Sequence, residues 1–265
     1  MIDYQLRILL FLLFVTVLLS WQFLAPRAPL RQWRSRWRHN LGLFFIDALC
    51  VRLFQPLLLT GVALLPAAPF APLSLLPSAL ALVVALTLLD LLIYWQHRLF
   101  HRVDWLWRLH RVHHSDPELD TTSAVRFHPL EILLSLLIKA AAIWLLGIPA
   151  TAVLVFDILL NALALFNHTN VQLKPSLERP LRRLIVTPAM HRIHHSRINT
   201  EANRNFGFCL SIWDRCFKSY LKESQGGDQG LNIGLPQTQR YAPKSLFELL
   251  KMPFSLSVKG KGRSQ

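Results

Sequence analysis

The chain has 265 residues, of which 52% are hydrophobic and only 17% are charged, and this balance is too apolar for an ordinary soluble protein. Its formal net charge of +14 is typical of proteins that bind nucleic acid. The basic residues, however, flank long apolar runs and alternate with Trp33, Trp37, Trp105 and Trp107, a pattern that indicates contact with anionic lipid head groups. The composition therefore predicts a membrane protein and argues against nucleic acid as a partner.

Long apolar runs predict about five membrane-spanning helices, because a helix that crosses a bilayer needs about 20 apolar residues. The final run is long enough for two passes, since Gly147 favours the end of one helix and Pro149 the start of the next. We expect an all-α polytopic membrane helix bundle with a cytoplasmic histidine-rich cap that binds metal. The apolar runs are 8–25, 41–65, 72–95 and 129–167.

Three regions follow from this pattern. Residues 1–40 are predicted to form an N-terminal membrane anchor and a basic segment that lies along the inner membrane surface. Residues 41–222 carry the remaining spans and the chemistry-bearing motifs. Residues 223–265 are predicted to be a loop, an amphipathic surface segment over 244–254 and a disordered basic tail.

Several charged residues lie inside the predicted spans, where they are expected to face protein or water rather than lipid. Asp47 and Arg52 lie in the second span, and Arg52 is predicted either to pair with a carboxylate or to reach the membrane surface. Lys139 and Asp157 lie at equal distances from the turn at 147–149, so the sequence predicts that they pair at one depth.

Eight of the eleven histidines lie in three tight clusters within apolar sequence. Residues three and four apart lie on one face of a helix, so the imidazoles of each cluster can point in one direction. Three such faces can converge, and eight nitrogen donors exceed what a single ion binds. The spacing therefore predicts two metal ions close together. The predicted ligands are His97, His101, His110, His113, His114, His191, His194 and His195.

Further polar residues lie close to these clusters. His168, which the fifth span returns to the same side of the membrane, is predicted to be a ninth ligand. Asp90 shares a helical stripe with His97, so it is a candidate for holding the second nitrogen of a ligand imidazole or for a purely structural pairing. At the start of the fourth span, His128 is predicted to be a helix cap, an outer contact of the metal centre or a further ligand, and Glu131 is a further candidate for an outer contact or a ligand.

The distribution of basic residues predicts the orientation. Of the 29 Lys and Arg residues, 26 lie in the stretches 26–40, 98–127 and 168–265, whereas the connections at 66–71 and 147–149 carry no charge. The positive-inside rule therefore places the histidine clusters and the C-terminus in the cytoplasm, most simply at a bacterial inner membrane.

At these residues the chain resembles the fatty acid hydroxylase/sterol desaturase superfamily of integral membrane non-haem di-iron enzymes. The resemblance covers roughly residues 40–222 and includes the three histidine clusters, Asn167-His168 and the segment Asn205-Phe206-Gly207-Phe208. It implies two iron ions, molecular oxygen, externally supplied electrons and a lipid substrate, with hydroxylation or desaturation of a C–H bond. Where relatives carry further histidines, this chain has Asn170, which becomes a candidate outer contact or ligand.

Imidazole donors do not distinguish iron from zinc, so a purified sample can carry zinc. The sequence contains no evident flavin, nicotinamide or haem motif, and electrons are expected from a partner such as a ferredoxin or a reductase. The expected docking surface includes Arg98, Arg108, Arg111, Arg192 and Arg197, which can also contact lipid phosphate. Two alternatives remain, a non-enzymatic membrane metal-binding or transport protein and a zinc hydrolase, although no separate nucleophile or general base stands out beyond the metal centre.

Overall fold

The computed structural model describes residues 2–63, 65, 68, 70–228, 230–235 and 245–255. Within these residues the chain is helical and forms no extended strand. The helices are α1 (Ile2–Leu24), α2 (Trp33–Ala63), α3 (Ser78–Arg102), α4 (Asp104–His114), α5 (Pro129–Leu146), α6 (Ala150–His168), α7 (Pro175–Leu181), α8 (Pro188–His194), α9 (Asn199–Ala202), α10 (Ile212–Cys216) and α11 (Leu246–Lys251).

Five of these helices, α1, α2, α3, α5 and α6, are long and apolar enough to cross a membrane. The predicted all-α bundle of about five spans with a histidine cluster is confirmed. One boundary differs, because the basic segment that was expected to lie along the surface is part of α2 from Trp33 onwards. Arg36 and Asn40 are buried against the segment that follows α4, and these contacts keep the first turns of α2 helical.

The segment between α4 and α5 is held by an internal ion-pair network. Arg36 donates to Asp116 at 2.9 Å and to Asp120 at 2.8 Å, and it also contacts Glu118. Arg126 donates to the side-chain oxygen of Asn40 at 2.8 Å. These contacts fix α2 against the end of α4, so they also position the histidines on α4.

α5 and α6 form the predicted hairpin. Gly147 ends α5 with a φ of +66°, and a Cβ at this position would lie 2.9 Å from the Cβ of Ala71. Lys139 donates to Asp157 at 2.8 Å, so the predicted pair is confirmed. Arg7 of α1 also contacts Asp157, and the pair is therefore a cluster of two cations around one carboxylate.

The C-terminal region contributes to the core. α11 lies within the predicted amphipathic segment, and Leu249 is fully buried against Leu43 and Val112. The predicted basic tail, residues 256–265, lies outside the described residues. The division of the chain at residues 40 and 222 stays a prediction.

Candidate metal centre

Three helical segments bring the predicted ligands together. The end of α3 carries the first histidine cluster, α4 carries the second, and α8 carries the third. Thr187 caps α8 by accepting from the backbone amide of Met190 at 3.4 Å, and Pro188 takes the first helical position. His168 is the last residue of α6.

The nine histidines form two adjacent groups, and within each group the facing ring nitrogens lie within 4.8 Å of one another. The rings of His114 and His195, one from each group, are stacked 4.3 Å apart. Consecutive residues of a helix are about 100° apart, so His113 and His114 point into different groups. The members of one sequence cluster are thus divided between two sites, which the spacing did not predict. The first group is His97, His101, His110, His114 and His194, and the second group is His113, His168, His191 and His195.

The hydrogen bonds of the first group leave lone pairs facing one another. His97 Nδ1 donates to the carbonyl oxygen of Phe206 at 2.8 Å, and His110 Nδ1 donates to a carboxylate oxygen of Glu131 at 2.7 Å. A neutral imidazole has one N–H, so the Nε2 atom of each ring carries only a lone pair. These two Nε2 atoms lie 3.1 Å apart. Two lone pairs cannot hydrogen-bond to each other, and a shared cation satisfies both.

The second group repeats this arrangement. His168 Nδ1 donates to the carbonyl oxygen of Ala164 at 2.7 Å, and His113 Nδ1 faces the carbonyl oxygen of Arg126 at 3.3 Å. The Nε2 atoms of these two rings are 3.2 Å apart. The same tautomer, with a bare Nε2 pointing inward, is therefore set in both groups by acceptors outside the centre.

The spacing of these nitrogens fits ligation of a metal. Facing Nε2 atoms lie 3.0 to 3.2 Å apart in five histidine pairs. Two nitrogens bound at right angles to one ion, each at about 2.1 Å, would be about 3.0 Å apart. His194 Nδ1 donates to the carbonyl of Arg204 at 2.9 Å, and within the described chain its buried Nε2 lacks a hydrogen-bond partner. Imidazole donors of this kind suit iron and zinc.

Burial also keeps these rings in the neutral form that metals bind. Desolvation lowers the pKa of His110 to about 3. Burial, followed by repulsion from neighbouring imidazoles, holds the pKa of His113, His114 and His195 well below the usual value near 6.5. All these rings are uncharged at neutral pH.

The structure places two of the remaining candidates differently from the expected outer contacts. Asp90 accepts from the backbone amides of Cys209 and Leu210 and from Trp213 Nε1, at 3.2, 3.1 and 2.8 Å, so it positions this loop and not an imidazole. Asn170 donates to the carbonyl of Ala28 at 2.7 Å, which ties it to the segment between α1 and α2 rather than to the centre. For Asp90 this is the structural pairing that the sequence left open, and for Asn170 it is a correction; in both cases backbone groups compete for the side chain.

The other two candidates lie at the start of α5. His128 accepts from the backbone amide of Leu130 at 3.2 Å and is the helix cap, which corrects its candidacy as a ligand. Its second ring nitrogen faces the carbonyl of Leu250 at 3.1 Å. Glu131 lies beside the centre, since it accepts from His110 as described above.

Four of the groups that orient the ligands were missed by sequence reasoning because they are backbone carbonyls, those of Phe206, Arg126, Ala164 and Arg204. Backbone atoms leave no side-chain signal in a sequence. The Phe206 carbonyl is itself held by Asp214, which accepts from the amides of Phe206 and Gly207 at 2.7 and 2.8 Å. In the sequence, the family resemblance of the segment Asn205-Phe206-Gly207-Phe208 was the one indication that this segment contributes to the centre.

A cavity of about 1170 Å³ lies between α1, α2, α3, α5 and α6, and His97 and His110 form part of its wall. Most of its lining is apolar, including Phe11, Phe14, Phe44, Ile93 and Leu136. The cluster of Arg7, Lys139 and Asp157 lines it as well. Lys139 lies eight residues after Glu131 on α5, about 12 Å along the helix. The cavity therefore joins the first histidine group to the interior of the bundle.

Four of the five arginines that were expected to form a docking surface donate hydrogen bonds within their own chain, Arg98 to the hydroxyl of Tyr94 at 3.1 Å. Arg111 donates to the carbonyl oxygens of Met252 and Ser255, and Arg192 donates to Asp228 at 3.1 Å. Arg197 donates to the carbonyl of Ile233 at 2.9 Å. Arg111 and Arg192 are buried and hold loops around the centre, which corrects their place in the expected docking surface. The docking of an electron carrier at this face stays a prediction.

The fold and the site together define an integral membrane protein with two adjacent histidine groups that can hold metal ions. A model of the family described as "Fatty acid hydroxylase" matches residues 82–219, more than half of the chain. The chain belongs to the fatty acid hydroxylase family, within the fatty acid hydroxylase/sterol desaturase superfamily that the motifs predicted.

The curated relatives agree with this assignment. The chain is 31% identical to the ornithine lipid hydroxylase OlsE of Rhizobium tropici over 179 residues, which are 68% of this chain and 52% of that protein. It is 29% identical to the alkylglycerol monooxygenase of Homo sapiens over 162 residues, 61% of this chain and 33% of that protein. The chain thus spans about half or less of these relatives. No solved structure matches it significantly.

Proposed function

We propose that this protein is a membrane lipid hydroxylase that uses two iron ions, molecular oxygen and externally supplied electrons. The observation that carries the proposal is the mainly apolar cavity whose wall includes His97 and His110. This arrangement allows a lipid from the bilayer to reach the metal centre while its hydrocarbon part stays out of water. The named activities of the relatives, a lipid hydroxylase and a monooxygenase, support the same reaction class.

The overall reaction is R–H + O2 + 2 electrons + 2 protons → R–OH + H2O. One oxygen atom enters the C–H bond, and the other leaves as water. When bound, the two irons supply the electron-transfer chemistry that oxygen activation needs. The electrons come from a one-electron carrier such as a ferredoxin with its reductase. Desaturation, the second outcome in this superfamily, consumes the same electrons but releases both oxygen atoms as water.

The chain's own residues prepare the site for this chemistry. Glu131 and the carbonyls of Phe206, Ala164 and Arg126 hold four of the nine imidazoles in the tautomer that presents Nε2 to the metals. These four are His110, His97, His168 and His113. Aromatic and aliphatic side chains of the cavity exclude water from the reacting C–H bond.

Oxygen-18 gas tests the proposal. Membranes containing the protein, supplied with reduced ferredoxin, are expected to convert a lipid to a hydroxylated product that carries one labelled oxygen atom. A desaturated product without label would identify the second outcome instead. Parallel incubations under argon or without ferredoxin provide the controls. A product that forms equally well without oxygen would contradict the proposal and favour the hydrolase alternative.

We further propose that the metal centre and the C-terminal region face the cytoplasm, because the positively charged stretches lie on that side of the spans. In a background with Cys50 and Cys216 replaced by serine, an impermeant maleimide is expected to label Ala150→Cys in intact cells and to spare Thr200→Cys until the membrane is permeabilised. Both positions are exposed on the protein surface. Labelling of Thr200→Cys alone would reverse the proposed orientation.

A further inference from the structure

The cavity contains buried acceptor oxygens that nothing in the described part of the chain satisfies. These atoms are Asp47 Oδ1, Glu131 Oε2 and Gln96 Oε1. All three residues line the cavity. Asp47 is 7% exposed and Glu131 is 4% exposed, so water in the bulk does not solvate these carboxylates. Such groups are costly to bury unless a ligand supplies the missing partner.

The unpartnered atoms of these three residues favour a ligand that donates hydrogen bonds. The second oxygen of Glu131 already accepts from His110, and the amide nitrogen of Gln96 donates to Ser135 at 2.7 Å. The atoms of these residues that still lack a partner are all hydrogen-bond acceptors. Asp47 and Glu131 both line the cavity and each has a carboxylate oxygen without a partner, so a positive charge in the cavity would attract both. A ligand with several N–H donors and a positive charge is the complement.

Two cations of the cavity bind a different carboxylate. Arg7 and Lys139 both bind Asp157, two helical turns further along the bundle. Arg52 lines the cavity as well, so an anionic group elsewhere in the same ligand would also find a counter-charge.

We propose that Asp47 and Glu131 bind an ammonium group in the polar head of the lipid substrate, and that Gln96 accepts a further hydrogen bond from that head. The inference rests on the proposed lipid hydroxylase function and specifies its substrate class. Because Glu131 also holds His110, an ammonium bound here lies next to a ligand of the first histidine group. The carbon that reacts is then in the head group or directly attached to it, while the acyl chains occupy the apolar part of the cavity.

Binding of simple amphiphiles to the purified full-length protein in detergent tests the proposal without turnover. The probes are dodecylamine, dodecanol and dodecyltrimethylammonium, which share one chain length. Dodecylamine is expected to bind about tenfold more tightly than either of the others, because only it combines a positive charge with N–H donors. Equal affinity for dodecylamine and dodecanol would overturn the proposal.

Single substitutions test which side chains form the amine site. Asp47→Asn is expected to weaken dodecylamine binding about tenfold and to leave dodecanol binding unchanged, because a charge-assisted hydrogen bond becomes a neutral one. Gln96→Leu, a second variant in case Asp47→Asn fails to fold, is expected to weaken dodecylamine binding less strongly. Glu223→Gln removes a carboxylate that is exposed outside the cavity and should change nothing. Wild-type affinity for dodecylamine in Asp47→Asn or in Gln96→Leu would refute the assignment of that residue.

The binding assay and the oxygen-18 assay together separate this inference from the proposed function. If dodecylamine binds in an Asp47-dependent manner but oxygen-18 never enters a lipid, the amine site stands and the hydroxylase proposal fails. If labelled product forms from lipids without an amine and the amphiphiles bind alike, the hydroxylase proposal stands and the amine site fails.

Discussion

Replacing His194 or His113 by alanine is expected to abolish hydroxylation while leaving the protein inserted in the membrane. His194 belongs to the first histidine group and His113 to the second. Each substitution removes an imidazole whose Nδ1 faces a backbone carbonyl oxygen and whose Nε2 points into the centre. Loss of a group that only orients a ligand costs about 10 to 100-fold in metal affinity or activity, so loss of a ligand itself should cost at least about 100-fold.

The measurements are bound iron by elemental analysis, product by mass spectrometry and insertion by membrane fractionation. Each variant is expected to lose metal from its own group first, so iron should fall from two ions toward one. His39→Ala is the matched control, because His39 lies in α2 and in neither group. Full activity with full iron content in both variants would contradict the assignment of these residues as ligands.

Replacing Arg36 by methionine is expected to destabilise the protein by about 3 to 5 kcal/mol, because the change leaves buried carboxylates without their partner. Asp116 and Asp120 are both fully buried and both accept from Arg36. Thermal unfolding of the detergent-solubilised protein measures the loss. Arg38→Met, a change at a neighbouring exposed arginine, should have little effect. Equal stability of the two variants would show that the network contributes nothing to folding.

The same network predicts sensitivity to acid. Burial alone would raise the pKa of Asp116, but Arg36 and then Arg126 more than offset it and lower the pKa from 3.8 to about 2. A carboxyl group whose pKa is lower in the folded state stabilises the protein above its unfolded pKa. That contribution, roughly 2.5 kcal/mol, is lost as the pH falls from about 4 to about 2. In Arg36→Met this part of the pH dependence should be absent.

The network also connects stability to the metal centre. It holds the segment from Asp116 to Arg126 against α2, and the carbonyl of Arg126 faces His113 Nδ1. Weakening the network should therefore loosen an outer contact of the second histidine group. We expect Arg36→Met to bind its second iron less tightly than the wild-type protein.

Much of this organisation was predictable from local patterns. The apolar runs set the number of spans, because backbone groups within a bilayer must be satisfied inside a helix. The spacing within each histidine cluster indicated a metal centre, since residues three and four apart share a helix face. The pairing of Lys139 with Asp157 followed from their equal distances to one turn. Each of these inferences depends on geometry within one helix or one hairpin.

Other features were decided only by the tertiary structure. The assignment of His194 to the first group and His113 to the second depends on how α3, α4, α6 and α8 pack, and helical spacing alone does not determine it. Asp90 and Asn170 bind backbone groups far away in the chain. The position of Asp90 on the helical stripe with His97, and the position of Asn170 in the family motif, therefore did not predict their contacts.

The cavity, likewise, could not be predicted from local sequence patterns. Asp47 and Glu131 lie 84 residues apart in the chain and line the same cavity because α2 packs against α5. By itself, the sequence determined that the chain crosses a membrane and carries the donors of a metal centre, because periodicity and composition encode these properties locally. The tertiary structure decided which histidines lie in one group and which buried carboxylates line the cavity, because these relations are set by contacts between distant segments and by backbone carbonyls that have no sequence signature.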